Sequence, residues 1–261
     1  MSPSQIAGLF AGIAVLALAV IFVWSIFGRR IRRGGQRIAG TLHLNARWWR
    51  ERGTKRGDLL YLAIGDSAAQ GVGASHPGRG YVGILARHIR DRTGKTVRVV
   101  NLSVSGARLQ DAIAAQLPHV HEYTPDILTV AIGANDMNSF DAEKFEGRFR
   151  RLLHALPDGV IVADIPSFYV GAAERNAVVA SEIVHRLAAV RGFEVAELHT
   201  ATRRQGVARY AFNQTAADFF HPNDRGYRVW AAAFIPVLDR VLPTLTVNRD
   251  GVVPGSDGGS A

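Results

Sequence analysis

DLLYLAIGDSAAQGVGA, Asp58 to Ala74, is the stretch from which the rest of the chain can be read. A short apolar run empties into Gly65-Asp66-Ser67, the pattern of a buried β-strand that delivers a serine to its carboxyl end. In open α/β sheets ligands bind beyond the carboxyl ends of the strands, so Ser67 is the first candidate nucleophile. A serine hydroxyl needs a base within hydrogen-bond reach and a third group that orients the base, and the rest of the sequence must supply both.

Outward from Ser67, short apolar runs alternate with amphipathic ones. Strands are expected at Val97 to Leu102, Ile127 to Ile132, Val160 to Ala163 and Phe193 to Ala196. Helices are expected at Tyr81 to Asp91, Arg108 to Leu117, Asp141 to Leu156, Glu174 to Arg191 and Asp224 to Leu242. The periodicity turns Phe145, Phe149, Leu152 and Leu153 inward on the third of these helices, and Val179, Ile183, Leu187 and Val190 on the fourth. On the last it turns Tyr227, Trp230, Phe234, Val237 and Val241 to one side. Short strands separated by helices imply an α/β fold with a parallel sheet covered on both faces.

The 261 residues, 48% hydrophobic and 20% charged, suffice for one globular domain plus appendages. With no cysteine there is no disulfide, thiolate metal site or cysteine nucleophile, so catalysis must use oxygen or nitrogen groups. The net charge of +9 is concentrated: between Arg29 and Asp58 ten basic residues face only Glu51 and Asp58, and the body beyond is nearly neutral. That placement does not suggest a nucleic-acid partner.

Ile6 to Phe27 carries no charged side chain, and as a helix it would span roughly 33 Å at about 1.5 Å per residue, enough for a bilayer core. With no basic amino-terminal region and no small-x-small site before Gly28, it reads as an uncleaved transmembrane anchor rather than a signal peptide. Arg29, Arg30, Arg32 and Arg33 follow at once, and this charge bias places the catalytic body on the cytoplasmic side. Within Arg47-Trp48-Trp49-Arg50 the tryptophans suit either the headgroup layer or a docking site on the domain. The expected organisation is an anchor over 1–28, a basic juxtamembrane linker over 29–57, a globular domain over 58–247 and a disordered tail over 248–261.

Among nine histidines His221 stands out, because Asp218 precedes it by three residues. On one helical turn that spacing lets Asp218 accept the Nδ1 proton and leaves Nε2 free to face Ser67. Two further strand ends offer oxyanion donors: Ser103-Val104-Ser105-Gly106, and Gly133-Ala134-Asn135-Asp136. Taken singly, each is an ordinary turn signal.

Gly65-Asp66-Ser67, Gly106, Gly133-x-Asn135-Asp136 and Asp218-x-x-His221 together resemble the four signature blocks of the SGNH, or GDSL, hydrolase family, over about Leu59 to Leu242. The resemblance implies a three-layer α/β/α sandwich on a five-stranded parallel sheet, a flavodoxin-like arrangement. It implies Ser67 as nucleophile, His221 as general base and then acid, and Asp218 as the residue that orients His221. The oxyanion hole would comprise the Ser67 and Gly106 N–H groups and the Asn135 side chain, with no metal or organic cofactor. The substrate would be a small-molecule or lipid ester, a thioester or an acetylated sugar. A catalytically idle module gripping anionic lipid through Arg29 to Arg56 is the reading from another class, and the intact set of catalytic residues counts against it.

Rival motifs fit less well. The elbow pattern Gly-x-Ser-x-Gly fails at Ala69, and Thr93-Gly94-Lys95-Thr96 lacks the first glycine of a P-loop, which Ile89 replaces. His119 and His121 with Glu122 offer no evident third metal ligand, and no metal is expected. Ser167, Phe168 and Tyr169 follow the fourth strand and are candidates for the substrate pocket, while His76 lies in the glycine-rich loop after Ser67.

Overall fold

The computed structural model describes the backbone of residues 3–250, and side chains from residue 31 to 242 together with Leu18, Phe22, Ser25, Gly28 and Arg29. The chain begins with a long helix, α1 (Pro3–Gly53), and then alternates strand and helix. β1 (Leu59–Gly65), α2 (Tyr81–Thr93), β2 (Val97–Asn101), α3 (Leu109–Ala115), α4 (Leu117–Val120) and β3 (Ile127–Ala131) form the first half. α5 (Ala142–His154), β4 (Ile161–Ala163), α6 (Gly171–Arg191), β5 (Glu194–Ala196), α7 (Leu198–Arg203), α8 (Val207–Arg209) and α9 (Asp224–Asp250) complete it.

The five strands form one sheet in the order β2-β1-β3-β4-β5, with every pairing parallel. Successive side chains of a strand point to opposite faces, and β1 shows the consequence. Leu62 and Ile64 join a core built on α3 to α6, whereas Leu59, Tyr61 and Ala63 join one built on α2, α7, α9 and the end of α1. The sheet is therefore the middle layer of three, and the expected α/β/α architecture is the observed one. The buried Tyr61 hydroxyl pairs with Thr129 at 2.8 Å, so the one polar tip of β1 on its face does not go unsatisfied.

Two inward positions expected on α6 are corrected. Val179 is 40% exposed and Val190 78% exposed. The buried face instead runs through Ala177, Ala180, Val184 and Ala188 beside Ile183 and Leu187, because alanines let this helix approach the sheet closely and rotate the apolar stripe away from the two valines. On α9, Tyr227, Trp230, Phe234 and Val237 are buried as expected and Val241 is half-buried.

Among the described residues no helix is long and apolar enough to cross a membrane. The run Ile6 to Phe27 lies within α1, but most of its side chains fall outside the described residues, as do residues 251–261 of the expected tail. The basic segment that follows is helical as far as Gly53, is largely exposed, and meets the domain through the buried Asn45 and Trp49. Trp49 is 3% exposed, and its indole Nε1 and the Asn45 amide both donate to the Gln70 carbonyl. Of the two readings of the tryptophans, docking on the domain is the one observed for Trp49.

Candidate active site

Ser67 lies two residues beyond β1, where the strand opens into a loop at the carboxyl end of the sheet. Its Oγ is 2.9 Å from Nε2 of His221, whose Nδ1 is 2.6 Å from Oδ2 of Asp218. Residues 154 apart in sequence thus form one hydroxyl–imidazole–carboxylate chain. Asp218 and His221 do not sit on a helical turn as expected. They occupy an irregular turn in which Phe219 has a positive φ of 57° and Oδ1 of Asp218 accepts from the backbone N–H groups of Phe220 and His221. A Thr215–Pro222 bridge and a bond from Ala216 N–H to the His221 carbonyl close this loop just before α9. Those backbone bonds hold the carboxylate against the imidazole.

Burial pushes the Asp218 carboxyl up, but the His221 bond and the Phe220 N–H outweigh it, leaving the group below the ordinary carboxylate range. It is therefore ionised at neutral pH, as an orienting carboxylate must be. Asp66 behaves in the opposite way. Burial raises its carboxyl to about 6, against the Ala68 N–H, which favours the charged form.

The expected oxyanion donors are partly assembled. Ser67 and Asn135 line one cavity of about 200 Å³, together with His221, Phe168 and Phe220. Gly106 is not among the lining residues; it has a φ of 78°, which suits a residue without Cβ. Among the described residues neither the Ser67 N–H nor the Gly106 N–H has a hydrogen-bond partner. The Asn135 amide donates to the Ala107 carbonyl at 3.0 Å and to Asp66 Oδ2 at 3.2 Å, so the loops after β1, β2 and β3 meet at one side chain.

Ser167 and Phe168 line the cavity, but Tyr169 does not. With a φ of 67°, Tyr169 turns its hydroxyl to the Thr202 carbonyl and packs its ring against Tyr210, which does line the cavity. It supports the wall from behind. His76 is also absent from the cavity; its Nδ1 accepts from Gly78 N–H and its ring meets Trp48 edge-on. His119 pairs with Glu122 at 2.7 Å on the exposed surface. Asp164, His185 and Glu197 bring ligand atoms within 4.8 Å of one another, but none of them lines the Ser67 cavity.

Three buried polar residues that support the site belong to no sequence motif. Gln116, fully buried, accepts from Gly65 N–H at 3.0 Å and donates to the Gly65 carbonyl at 2.8 Å, bracing the residue that precedes Asp66-Ser67. Gln70 ties the loop after Ser67 to Ser103 and Ser105. Glu174 accepts from the Ser167 hydroxyl and from the N–H groups of Phe168 and Tyr169, holding that loop in place. A glutamine or glutamate inside an amphipathic pattern carries no local mark of such bonds.

Solved structures share this fold across most of their length. The chain resembles LAE5, an alpha/beta hydrolase enzyme from the metagenome of Lake Arreo, Spain, at 24% identity and a TM-score of 0.58, covering 73% of this chain and 98% of that one. The lipase/acylhydrolase from Enterococcus faecalis aligns at 17% identity and a TM-score of 0.58, covering 70% and 96%. A variant of the acetyl xylan esterase Axe2 from Geobacillus stearothermophilus aligns at 24% identity and a TM-score of 0.56, covering 70% and 94%. No curated protein matches the chain. The sequence profile of the GDSL-like lipase/acylhydrolases matches residues 63–229, a span that holds Ser67, Gly106, Asn135, Asp218 and His221. The chain belongs to the GDSL-like lipase/acylhydrolase family.

Proposed function

We propose that this protein cleaves carboxylic esters through an acyl-enzyme on Ser67. The hydrogen-bonded sequence Ser67–His221–Asp218, opening onto a cavity, is the observation that carries the reading. The Ser67 oxygen attacks the ester carbonyl while Nε2 of His221 takes its proton. Asp218, kept ionised, holds the imidazole in the tautomer that leaves Nε2 free and stabilises the imidazolium that forms. The unbonded Ser67 N–H stabilises the charge that develops on the carbonyl oxygen, and the Asn135 amide joins it by exchanging its longer bond, to Asp66 Oδ2, for one to the oxyanion; the Gly106 N–H joins them if the loop after β2 turns it into the cavity. His221 then protonates the leaving alcohol, and water repeats the cycle to release the acid.

A cavity of about 200 Å³ is smaller than the roughly 300–1,000 Å³ typical of sites for drug-sized ligands, which supports a short acyl group at Ser67. Ser67→Ala should abolish turnover of 4-nitrophenyl butyrate while leaving the fold intact; retained turnover would remove the assignment.

The uncharged run Ile6 to Phe27 and the arginines after it support a second element of the reading, a membrane anchor with the catalytic domain on the cytoplasmic side. Alkaline phosphatase fused to the carboxyl end should be inactive, and an active fusion would reverse the orientation.

A further inference from the structure

A second cavity, of about 800 Å³, adjoins the first. One wall is the α1 face that carries Arg29, Arg33 and Arg37, four residues apart and therefore stacked along one side of the helix. The other wall is the loop leading to the catalytic turn, including Phe212, Thr215 and Phe219. Phe219, between Asp218 and His221, lines both cavities. The walls are held in register by Gly34, where α1 lies so close to the loop that a Cβ would fall on the Ala217 carbonyl.

All three arginines are exposed, and among the described residues none pairs with a carboxylate. Among the described residues the Arg29 guanidinium donates to the Ser25 carbonyl and hydroxyl. Unpaired guanidiniums offer forked donors that match phosphate oxygens, and here an 87% exposed phenyl ring, that of Phe212, stands beside them. The arginine wall precedes residue 63, where the family match begins, so it is added to the hydrolase by this chain's own amino-terminal helix.

Resting on the ester-hydrolase reading above, we propose that this groove binds the phosphate of a phosphate-bearing ester whose acyl group occupies the cavity at Ser67. The test compares 1-butyrylglycerol 3-phosphate with 1-butyrylglycerol as substrates of the full-length protein in a neutral maltoside detergent. Both esters are short, and no anionic surface is present.

The double variant R33Q/R37Q should lower the ratio of kcat/KM for the phosphate ester over the neutral ester by about tenfold or more, the scale of lost charge-assisted contacts. The control R47Q/R50Q removes two charges of the same helix outside the groove and should leave that ratio unchanged. An unchanged ratio in R33Q/R37Q overturns the proposal. So does an equal loss on both esters, which would make the arginines supports of the loop, or a loss seen only after anionic lipid is added, which would make them contacts to the membrane surface. If the wild type cleaves neither ester, the ester-hydrolase reading fails on its own. Calorimetric titration of glycerol 3-phosphate into wild type and R33Q/R37Q then still decides whether the groove binds phosphate.

Discussion

Asp218→Asn tests how the site makes Ser67 reactive. Oδ1 of Asp218 accepts two backbone N–H groups, from Phe220 and His221, each at 3.1 Å. An amide nitrogen cannot accept, so the asparagine must keep its oxygen in that place and turn its NH₂ toward His221 Nδ1, which now lies 2.6 Å from a carboxylate oxygen. Nδ1 is thereby forced to become an acceptor, and the imidazole proton moves to Nε2. Nε2 then points an N–H at Ser67 Oγ from 2.9 Å and can no longer take the serine proton. A histidine in the wrong tautomer costs serine hydrolases roughly 10⁴-fold in kcat, about 5 kcal/mol of transition-state stabilisation. KM should change little, because the substitution removes no atom from the cavity wall, and the melting temperature should shift by only a few degrees. Initial rates with 4-nitrophenyl butyrate from pH 5 to 9, together with thermal unfolding, measure all three. A kcat within tenfold of wild type in a folded variant would refute the tautomer argument.

Other perturbations separate the supports from the reacting groups. Gln116→Leu fills nearly the same volume but strands the buried Gly65 N–H and removes one of the bonds to its carbonyl, so stability in urea should fall by about 2–4 kcal/mol, and a loss under about 1 kcal/mol would contradict the bracing role. Gly34→Val should drive α1 off the loop that carries Asp218 and lower kcat/KM on 4-nitrophenyl butyrate by about 10- to 100-fold, since displacements near 1 Å have that effect; unchanged kinetics would show that the loop holds itself. Asp66, raised from 3.8 to about 6, binds more protons in the native than in the unfolded state between those values, so its contribution makes stability fall as pH rises through that window, by about 3 kcal/mol in all. Denaturant midpoints measured from pH 4 to 7 should therefore fall less, or rise more, with pH in Asp66→Asn than in wild type, whereas parallel slopes would contradict the raised carboxyl. Asp218, held below the ordinary range, acts in the other direction: its contribution is present above the unfolded value and is lost as pH falls through the lower native one.

The parts legible in sequence are those written locally. β1 is a continuous apolar run because both its faces are covered, and Asp218 and His221 are found because three residues separate them. The supports are non-local, and periodicity does not register them. Gln116 meets Gly65 across 51 residues of chain, and the Trp49 indole meets the Gln70 carbonyl across 21. Helical phase on α6 is misjudged at Val179 and Val190 because a pattern of valines outweighs alanines in any hydrophobicity reading, while close packing on the sheet favours the alanines. The turn at Asp218 departs from a helix for a related reason. Its geometry is set by one carboxylate capping two N–H groups and by a left-handed Phe219, neither of which spacing reveals.

Covalent labelling tests the central assignment most directly. The full-length protein is treated with a fluorophosphonate, digested and mapped by mass spectrometry, with Ser67→Ala and His221→Ala alongside. The account predicts a single stoichiometric adduct on the peptide bearing Ser67, absent in Ser67→Ala and greatly slowed in His221→Ala. An adduct on Ser103, Ser105 or Ser167, or an unlabelled Ser67 in protein that still cleaves 4-nitrophenyl butyrate, would contradict it.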